Sequence, residues 1–346
     1  MTSESVLQYP HASPPEPGEV RSIAPGVHWL RMPLPFALNH INLWLLEDGD
    51  AWVIVDTGLG NEDTRKYWDI ALAALVGNRP VSRVILTHHH PDHSGNAGWL
   101  TRRFNAPLLI SMSEYLACHS VLDSRAGYDL EALLAMYRRN GLTAENEEKM
   151  RGRGAHFQKH VKEFPTSYSR LLDGMVLSIG GRDWRLLVGY GHSPEHVSLY
   201  CEDENVLISG DMMLPRITTN VSVQAVEPLG NPLKLFLDST RAQAVLPADT
   251  LVLPSHGLPF RGIRDRVAQL VHHHDLRLAE VAAACKGPTA AAEVIPVLFR
   301  RPLDAHQMFF AMGESMAHLH LLEAEGRVVR TIGSDGVLRY AAAGEA

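Results

Sequence analysis

The stretch Thr87-His88-His89-His90-Pro91-Asp92-His93-Ser94-Gly95-Asn96 constrains this chain more than any other. It directly follows the apolar run Val84-Ile85-Leu86, which reads as a buried strand delivering a loop, the place where α/β sheets present functional groups. His88 and His90 are two apart and point the same way in extended backbone, whereas Asp92 and His93 follow a proline that turns the chain. The loop can therefore offer two imidazoles to one cation and a carboxylate plus an imidazole to a second, with His89 turned away. The chain holds 19 histidines, so an isolated pair would read as filler. The order His-x-His-x-Asp-His at a strand end, with further strand-end His and Asp downstream, reads instead as metal ligation.

Those downstream partners are Gly191-His192-Ser193-Pro194-Glu195-His196, the strand Asn205 to Ser209 running into Gly210-Asp211, and Leu251 to Ser255 running into His256-Gly257. Upstream, Trp52 to Asp56 runs into Thr57-Gly58. Together these five separated motifs resemble the metallo-β-lactamase superfamily over roughly residues 20 to 260. The resemblance implies an αββα sandwich, and it assigns His88, His90 and His192 to one ion, Asp92, His93 and His256 to another, and Asp211 to both. Asp56 is expected to orient a histidine without binding metal, and His196 to support the site in the same indirect way.

In chain order, strands are expected at 27 to 32, 42 to 47 and 51 to 56. A helix follows over Asn61 to Val76, stopped at Gly77-Asn78, then the strand Val81 to Leu86, a helix over Ser94 to Phe104 and a strand over Leu108 to Ser111. This alternation is α/β. Residues 112 to 170 read as a helical insertion covering the metal cleft, including a helix from Asp129 to Arg139. Its second half carries Lys149, Arg151, Arg153, Lys159 and Lys162 with no acid from 149 to 162. That segment could receive an anionic substrate tail, Lys159 and Lys162 above all, or simply form a solvated basic face. Strands at 175 to 179 and 184 to 188 lead to the His192 loop.

From Arg261 the pattern changes to a long helix ending at Lys286, a short helix capped by Thr289, and a third capped by Asp304 with Gln307 three residues on. A hairpin about Gly333-Ser334-Asp335-Gly336 closes the chain. This tail resembles the winged-helix domain carried by one branch of the same superfamily. The expected organisation is a flexible lead-in at 1 to 20, a hydrolase domain at 21 to 260 and a winged helix at 261 to 346. The third helix holds no Lys or Arg between Asp304 and Glu325, which disfavours DNA binding through it. Adjacent residues on a helix point about 100° apart, so His272, His273 and His274 cannot chelate one ion and are assigned to surface and packing.

Three widely spaced cysteines without a C-x-x-C pair indicate neither a disulfide framework nor a thiolate metal site, and fit a reducing cytoplasm. A net charge of −7 supplies no overall field for a polyanion. The opening residues lack a signal-peptide pattern, and no stretch is long and apolar enough to span a membrane.

An all-nitrogen and oxygen ligand set accepts two divalent ions, with zinc the first expectation and iron or manganese also compatible. The chemistry such a pair implies is hydrolysis by a metal-bridging hydroxide, with Asp92 and Asp211 as the carboxylates at its heart. The leading expectation is a hydrolase of acyl thioesters, of the acyl-CoA or hydroxyacylglutathione type, because the site is similar to that of the glyoxalase II group. That group lacks the winged-helix tail, so its substrate contacts do not carry over. Three other readings stay open: a single-stranded RNA endoribonuclease, a mononuclear persulfide dioxygenase, and a winged-helix regulator with a metal-sensing domain.

Overall fold

The computed structural model describes residues 7–75, 79–152 and 156–344. In chain order the strands are β1 (Val20–Ala24), β2 (Val27–Pro33), β3 (His40–Asp48), β4 (Ala51–Val55), β5 (Val81–Ile85), β6 (Leu108–Ile110), β7 (Ser169–Arg170), β8 (Val176–Ile179), β9 (Arg182–Gly189), β10 (His196–Cys201), β11 (Val206–Gly210), β12 (Leu251–Pro254), β13 (Val328–Ile332) and β14 (Leu338–Ala342). The helices are α1 (Glu62–Leu75), α2 (Pro91–Ser94), α3 (Ala97–Phe104), α4 (Met112–Leu122), α5 (Leu130–Arg139), α6 (Ala144–Arg151), α7 (His156–His160), α8 (Pro232–Gln243), α9 (Ile263–Ala284), α10 (Ala291–Leu298) and α11 (Ala305–Ala324).

Contacts divide the chain into two units. The first comprises residues 1–122, 157–219 and 239–267, and the second 123–156, 220–238 and 268–346. Among the described residues, the first unit holds a seven-stranded sheet in the order β1 to β7 and a five-stranded sheet in the order β12-β11-β10-β9-β8. Strands β3 and β4 are apolar on both faces because both faces are covered. Trp44, Leu46, Val53 and Val55 meet Trp184, Leu186, Val197, Ile208 and Leu253 of the second sheet, while Leu43, Leu45 and Ile54 pack beneath Trp68 and Leu72 of α1 and Leu100 of α3. This is the mixed α/β sandwich expected from the sequence.

Pairing of β4 with β5, β5 with β6, and β11 with β12 is parallel. Parallel strands bring their carboxyl ends to one edge, so the loops after β4, β5, β11 and β12 carry Asp56, His88, Asp211 and His256 side by side.

The structure departs from these expectations in several places. Strands β1, β7 and β10 are additional, β7 falling within the stretch expected to be helical. Part of the stretch expected as a flexible lead-in is built into the sandwich unit: Leu7 is buried and Gln8 pairs with Arg261. Residues 123–156, part of the expected insertion, group with the C-terminal segments and not with residues 157–170. Thr289 does not cap α10, since its hydroxyl donates to the carbonyls of Ala284 and Gly287, and the Glu293 carboxylate accepts the Ala290 N–H instead. The helix stop expected at Gly77-Asn78 lies outside the described residues.

In the second unit, α10, α11 and the β13-β14 hairpin follow α9, the element order expected of the tail. The capping box on α11 is present: the Gln307 N–H donates to Asp304 Oδ1 at 2.8 Å, and the Asp304 N–H reaches back to Gln307 Oε1.

Candidate metal centre

Thr57 follows β4 with its N–H and hydroxyl both donated to the His93 carbonyl, at 2.7 and 2.6 Å, which locks the first loop to the histidine loop. Asp56 itself has φ of +60°, a conformation that costs energy in a non-glycine residue and persists where its surroundings hold it. What holds it is a set of hydrogen bonds: Asp56 accepts the Thr87 N–H (2.8 Å), the Thr87 hydroxyl (2.8 Å) and His93 Nδ1–H (2.8 Å).

These bonds fix tautomers. His93 gives its Nδ1 proton to Asp56, which leaves Nε2 facing inward. The Thr87 hydroxyl proton is spent on Asp56, so its oxygen accepts from His88 Nδ1 at 3.0 Å and leaves His88 Nε2 as a bare lone pair. His256 Nδ1 donates to the His40 carbonyl at 2.7 Å, again freeing Nε2. Such outer partners orient metal-binding imidazoles and raise their basicity.

Two clusters result. In the first, His88 Nε2 lies 2.9 Å from His90 Nδ1 and 3.2 Å from His192 Nε2, and Asp211 Oδ2 lies 3.4 Å from His192 Nε2. In the second, His256 Nε2 is 3.5 Å from Asp92 Oδ2, and His93 Nε2 is 3.8 Å from it. Asp211 Oδ1 faces this second cluster, 3.6 Å from His93 Nε2 and 3.5 Å from His256 Nε2. Each cluster is compact enough to hold one ion, and Asp211 turns one oxygen to each.

The donor set fits cations on two counts. Ligands about 2.0–2.1 Å from a tetrahedral ion lie roughly 3.3–3.4 Å from one another, close to the separations found. Second, His93 Nε2 and Asp211 Oδ1 are buried without a hydrogen-bond partner among the described residues. Buried polar atoms left this way are costly unless something satisfies them.

The electrostatics agree. Burial, reinforced by neighbouring histidines, pushes His88 and His90 well below the ordinary histidine value, so both present neutral imidazoles. Burial acts in the same direction on His93 and His256, but the carboxylates outweigh it. Asp56, Asp92 and Asp211 hold His93 well above its ordinary value, and Asp211 and Asp92 raise His256 to about 10. The carboxylates therefore make this side of the pocket favour positive charge.

His196 Nε2 accepts the Asp211 N–H at 3.0 Å and so meets the site through the backbone. Gly210 makes that contact achievable: it has φ of +53°, and a Cβ there would sit 2.3 Å from His196 Nε2. His89 turns away from the centre, as expected, and meets Glu114 on α4.

Glu114 is the largest omission of the sequence reading. Fully buried, it accepts His89 N–H (3.0 Å), His89 Nδ1 (2.5 Å), the Ser193 hydroxyl (2.6 Å) and the Glu195 N–H (2.8 Å). One carboxylate thus ties the His88–His90 loop to the His192–His196 loop. Burial would raise its pKa, but His89 and the Ser193 and Glu195 donors bring it down to about 2. Asn42 plays a similar part for the His256 loop, donating to the carbonyls of Pro254 and Gly257. The sequence signal for Glu114 is faint: one acid among the apolar positions of a helix, with no spacing that links it to the histidines.

The basic segment does not act as a unit. Lys149 pairs with Glu145, Arg151 pairs with Glu131 and Glu147, and both belong to the second unit. Arg153 lies outside the described residues. Lys159 and Lys162 are exposed and belong with the sandwich. Of the histidine triplet, His274 is buried against His318.

The metallo-β-lactamase superfamily profile matches residues 38–256, and a metallo-β-lactamase-like C-terminal domain profile matches 278–343. The chain belongs to the metallo-β-lactamase superfamily. A crystal structure of a β-lactamase domain protein from Burkholderia ambifaria is 46% identical, with a TM-score of 0.91 over 98% of this chain and 99% of that one. The chain is also similar to curated proteins, among them one from Bacillus subtilis and one from Aspergillus fumigatus. A probable metallo-hydrolase, YqjP, of Bacillus subtilis is 25% identical over 86% of this chain and 92% of its own length. An atrochrysone carboxyl ACP thioesterase of Aspergillus fumigatus is 24% identical over 79% of this chain and 73% of its own. In this superfamily member the two candidate ligand clusters lie side by side, with Asp211 facing both.

Proposed function

We propose that the protein is a binuclear metal-dependent hydrolase of acyl thioesters. The observation that carries the reading is the orientation of Asp211, one oxygen toward each of two ligand clusters. His88, His90 and His192 would hold one ion, Asp92, His93 and His256 the other, with Asp211 shared. Two divalent ions in those places supply Lewis acidity and lower the pKa of water toward about 7. Zinc is the first choice for a nitrogen and oxygen set of this kind.

The chain's own residues do the positioning. Thr87, Asp56 and the His40 carbonyl fix which nitrogen of His88, His93 and His256 faces the reacting centre. Asp92 and Asp211 set its negative charge and can take a proton from water. Glu114 keeps the two histidine loops in register.

The thioester assignment is supported by the curated thioesterase relative and by the exposed cations Lys159 and Lys162 in the unit that holds the centre. Three buried free cysteines, Cys118, Cys201 and Cys285, fit a reducing compartment, and we place the enzyme in the cytoplasm. Among the described residues no helix is long and apolar enough to cross a membrane.

The test is a panel of acyl-CoA, acyl-glutathione, a β-lactam and single-stranded RNA, each assayed with metal-loaded protein at low and high salt. Thioester hydrolysis with a shallow salt dependence is expected. An RNA substrate engaging several phosphates would show a steep one. Metal-dependent RNA cleavage without thioesterase activity would overturn the assignment in favour of an endoribonuclease.

A further inference from the structure

Beside the second ligand cluster lies a hollow of about 300 Å³, walled by Pro14, Pro17, Arg31, Pro33, Asn39 and His40. Its floor is the β2-β3 pair, in which Arg31 faces Asn42 and Pro33 faces His40. The prolines lock φ and offer no N–H, so the Pro14–Pro17 arm is stiff and presents no amide donor at those positions.

His40 connects the hollow to the centre. Its carbonyl accepts His256 Nδ1–H, and its ring lies 6.1 Å from the His256 ring. His40 Nε2 accepts the Gly257 N–H at 2.8 Å, so the proton of this neutral ring sits on Nδ1 and is donated to Asn39 Oδ1, also at 2.8 Å. Both nitrogens of His40 are therefore committed, and the ring is a fixed wall.

Arg31 is not committed. Its guanidinium is partly buried, and among the described residues no carboxylate lies within ion-pair distance of it. The acid that acts on it is Glu16, exposed at the rim of the same hollow. A partly desolvated cation without a partner is unfavourable, and the guanidinium fork matches a carboxylate or phosphate in two parallel hydrogen bonds.

We propose that Arg31 and the hollow around it form an anion-binding subsite that takes a carboxylate or phosphate of the substrate next to the His256 side of the metal centre. Its assignment to a substrate rests on the thioester reading; the anion site itself does not. Glu16 is the competing charge at the rim, so an incoming anion must outbid it for Arg31.

The test uses the full-length, metal-loaded protein as wild type, Arg31→Gln, Arg31→Lys and Glu16→Gln. Binding of inorganic phosphate and of glutarate is measured by calorimetry at low salt, with thermal unfolding as the folding control. Loss of a charge-assisted hydrogen bond should weaken anion binding by about 10- to 100-fold in Arg31→Gln. Arg31→Lys, which keeps the charge and loses the fork, should fall between that variant and wild type, and Glu16→Gln should bind more tightly than wild type. Equal affinities across the four proteins would overturn the site.

The source of the anion is then read from KM. A rise confined to glutaryl-CoA, with pentanoyl-CoA unchanged, assigns the site to a carboxylate on the acyl group; an equal rise for both assigns it to the carrier's phosphates. No change in either overturns the substrate role. Arg31-dependent anion binding in a protein that turns over no thioester would sink the thioester reading and keep the subsite, whereas thioester turnover with Arg31-independent binding would do the reverse.

Discussion

Asp211→Ala should reduce turnover by about 10³-fold or more, beyond the 10- to 100-fold typical of losing an outer partner of a metal ligand. His256→Ala should retain measurably more activity at equal total metal. The difference follows from placement. Removing Asp211 takes an oxygen from both clusters and the counter-charge from His93 and His256 together, whereas removing His256 leaves the His88, His90 and His192 cluster whole. Steady-state rates on the best substrate of the panel, with metal content measured on the same samples, decide the comparison. Comparable residual rates for the two variants would show that Asp211 does not serve both clusters.

Glu114→Ala should cost about 3–5 kcal/mol of stability, since several buried donors lose their acceptor at about 1–3 kcal/mol each. Four donors lose their acceptor at once: the two of His89, the Ser193 hydroxyl and the Glu195 N–H. Glu114→Gln should cost less, since an amide oxygen still accepts from part of this set. The pH dependence has a definite sign. Glu114 titrates at about 2 in the folded chain, below the ordinary glutamate value of 4.5, so its contribution is fully present above about pH 4.5 and fades as pH falls toward 2. Denaturant unfolding of wild type and variant at neutral pH and near pH 3 should show the gap narrowing at the lower value. A Glu114→Ala midpoint indistinguishable from wild type at neutral pH would mean that the two histidine loops hold their places without this carboxylate.

The candidate centre was legible in the sequence because its candidate ligands follow strand ends, and a buried parallel strand announces itself as a short apolar run with His or Asp soon after it. Val84 to Leu86 before His88, Val206 to Ser209 before Asp211, and Leu251 to Leu253 before His256 all follow this rule. The α11 cap was legible for a similar reason: the bonding between Asp304 and Gln307 is local, and the spacing states it.

What could not be read depends on partners distant in the chain. Strand β10 begins at His196 itself, is buried along its whole length, and so shows neither alternation nor turn residues to set it apart from the motif. Strand β1 is partly exposed and looks like a polar loop until β2 pairs with it. Glu114 acquires its meaning only when α4 meets loops 25 and about 80 residues further along or back in the chain. The basic stretch from Lys149 to Lys162 looked continuous, yet the fold sends its two ends to different units and neutralises Lys149 and Arg151 with nearby acids.

Two cations sharing Asp211 would show most directly in the metal content of the protein. Protein purified without chelator, loaded to saturation and freed of excess metal, should contain close to two divalent ions per chain by elemental analysis. A saturated, folded protein that holds a single ion would contradict the binuclear centre and redirect the chemistry toward a mononuclear oxygenase.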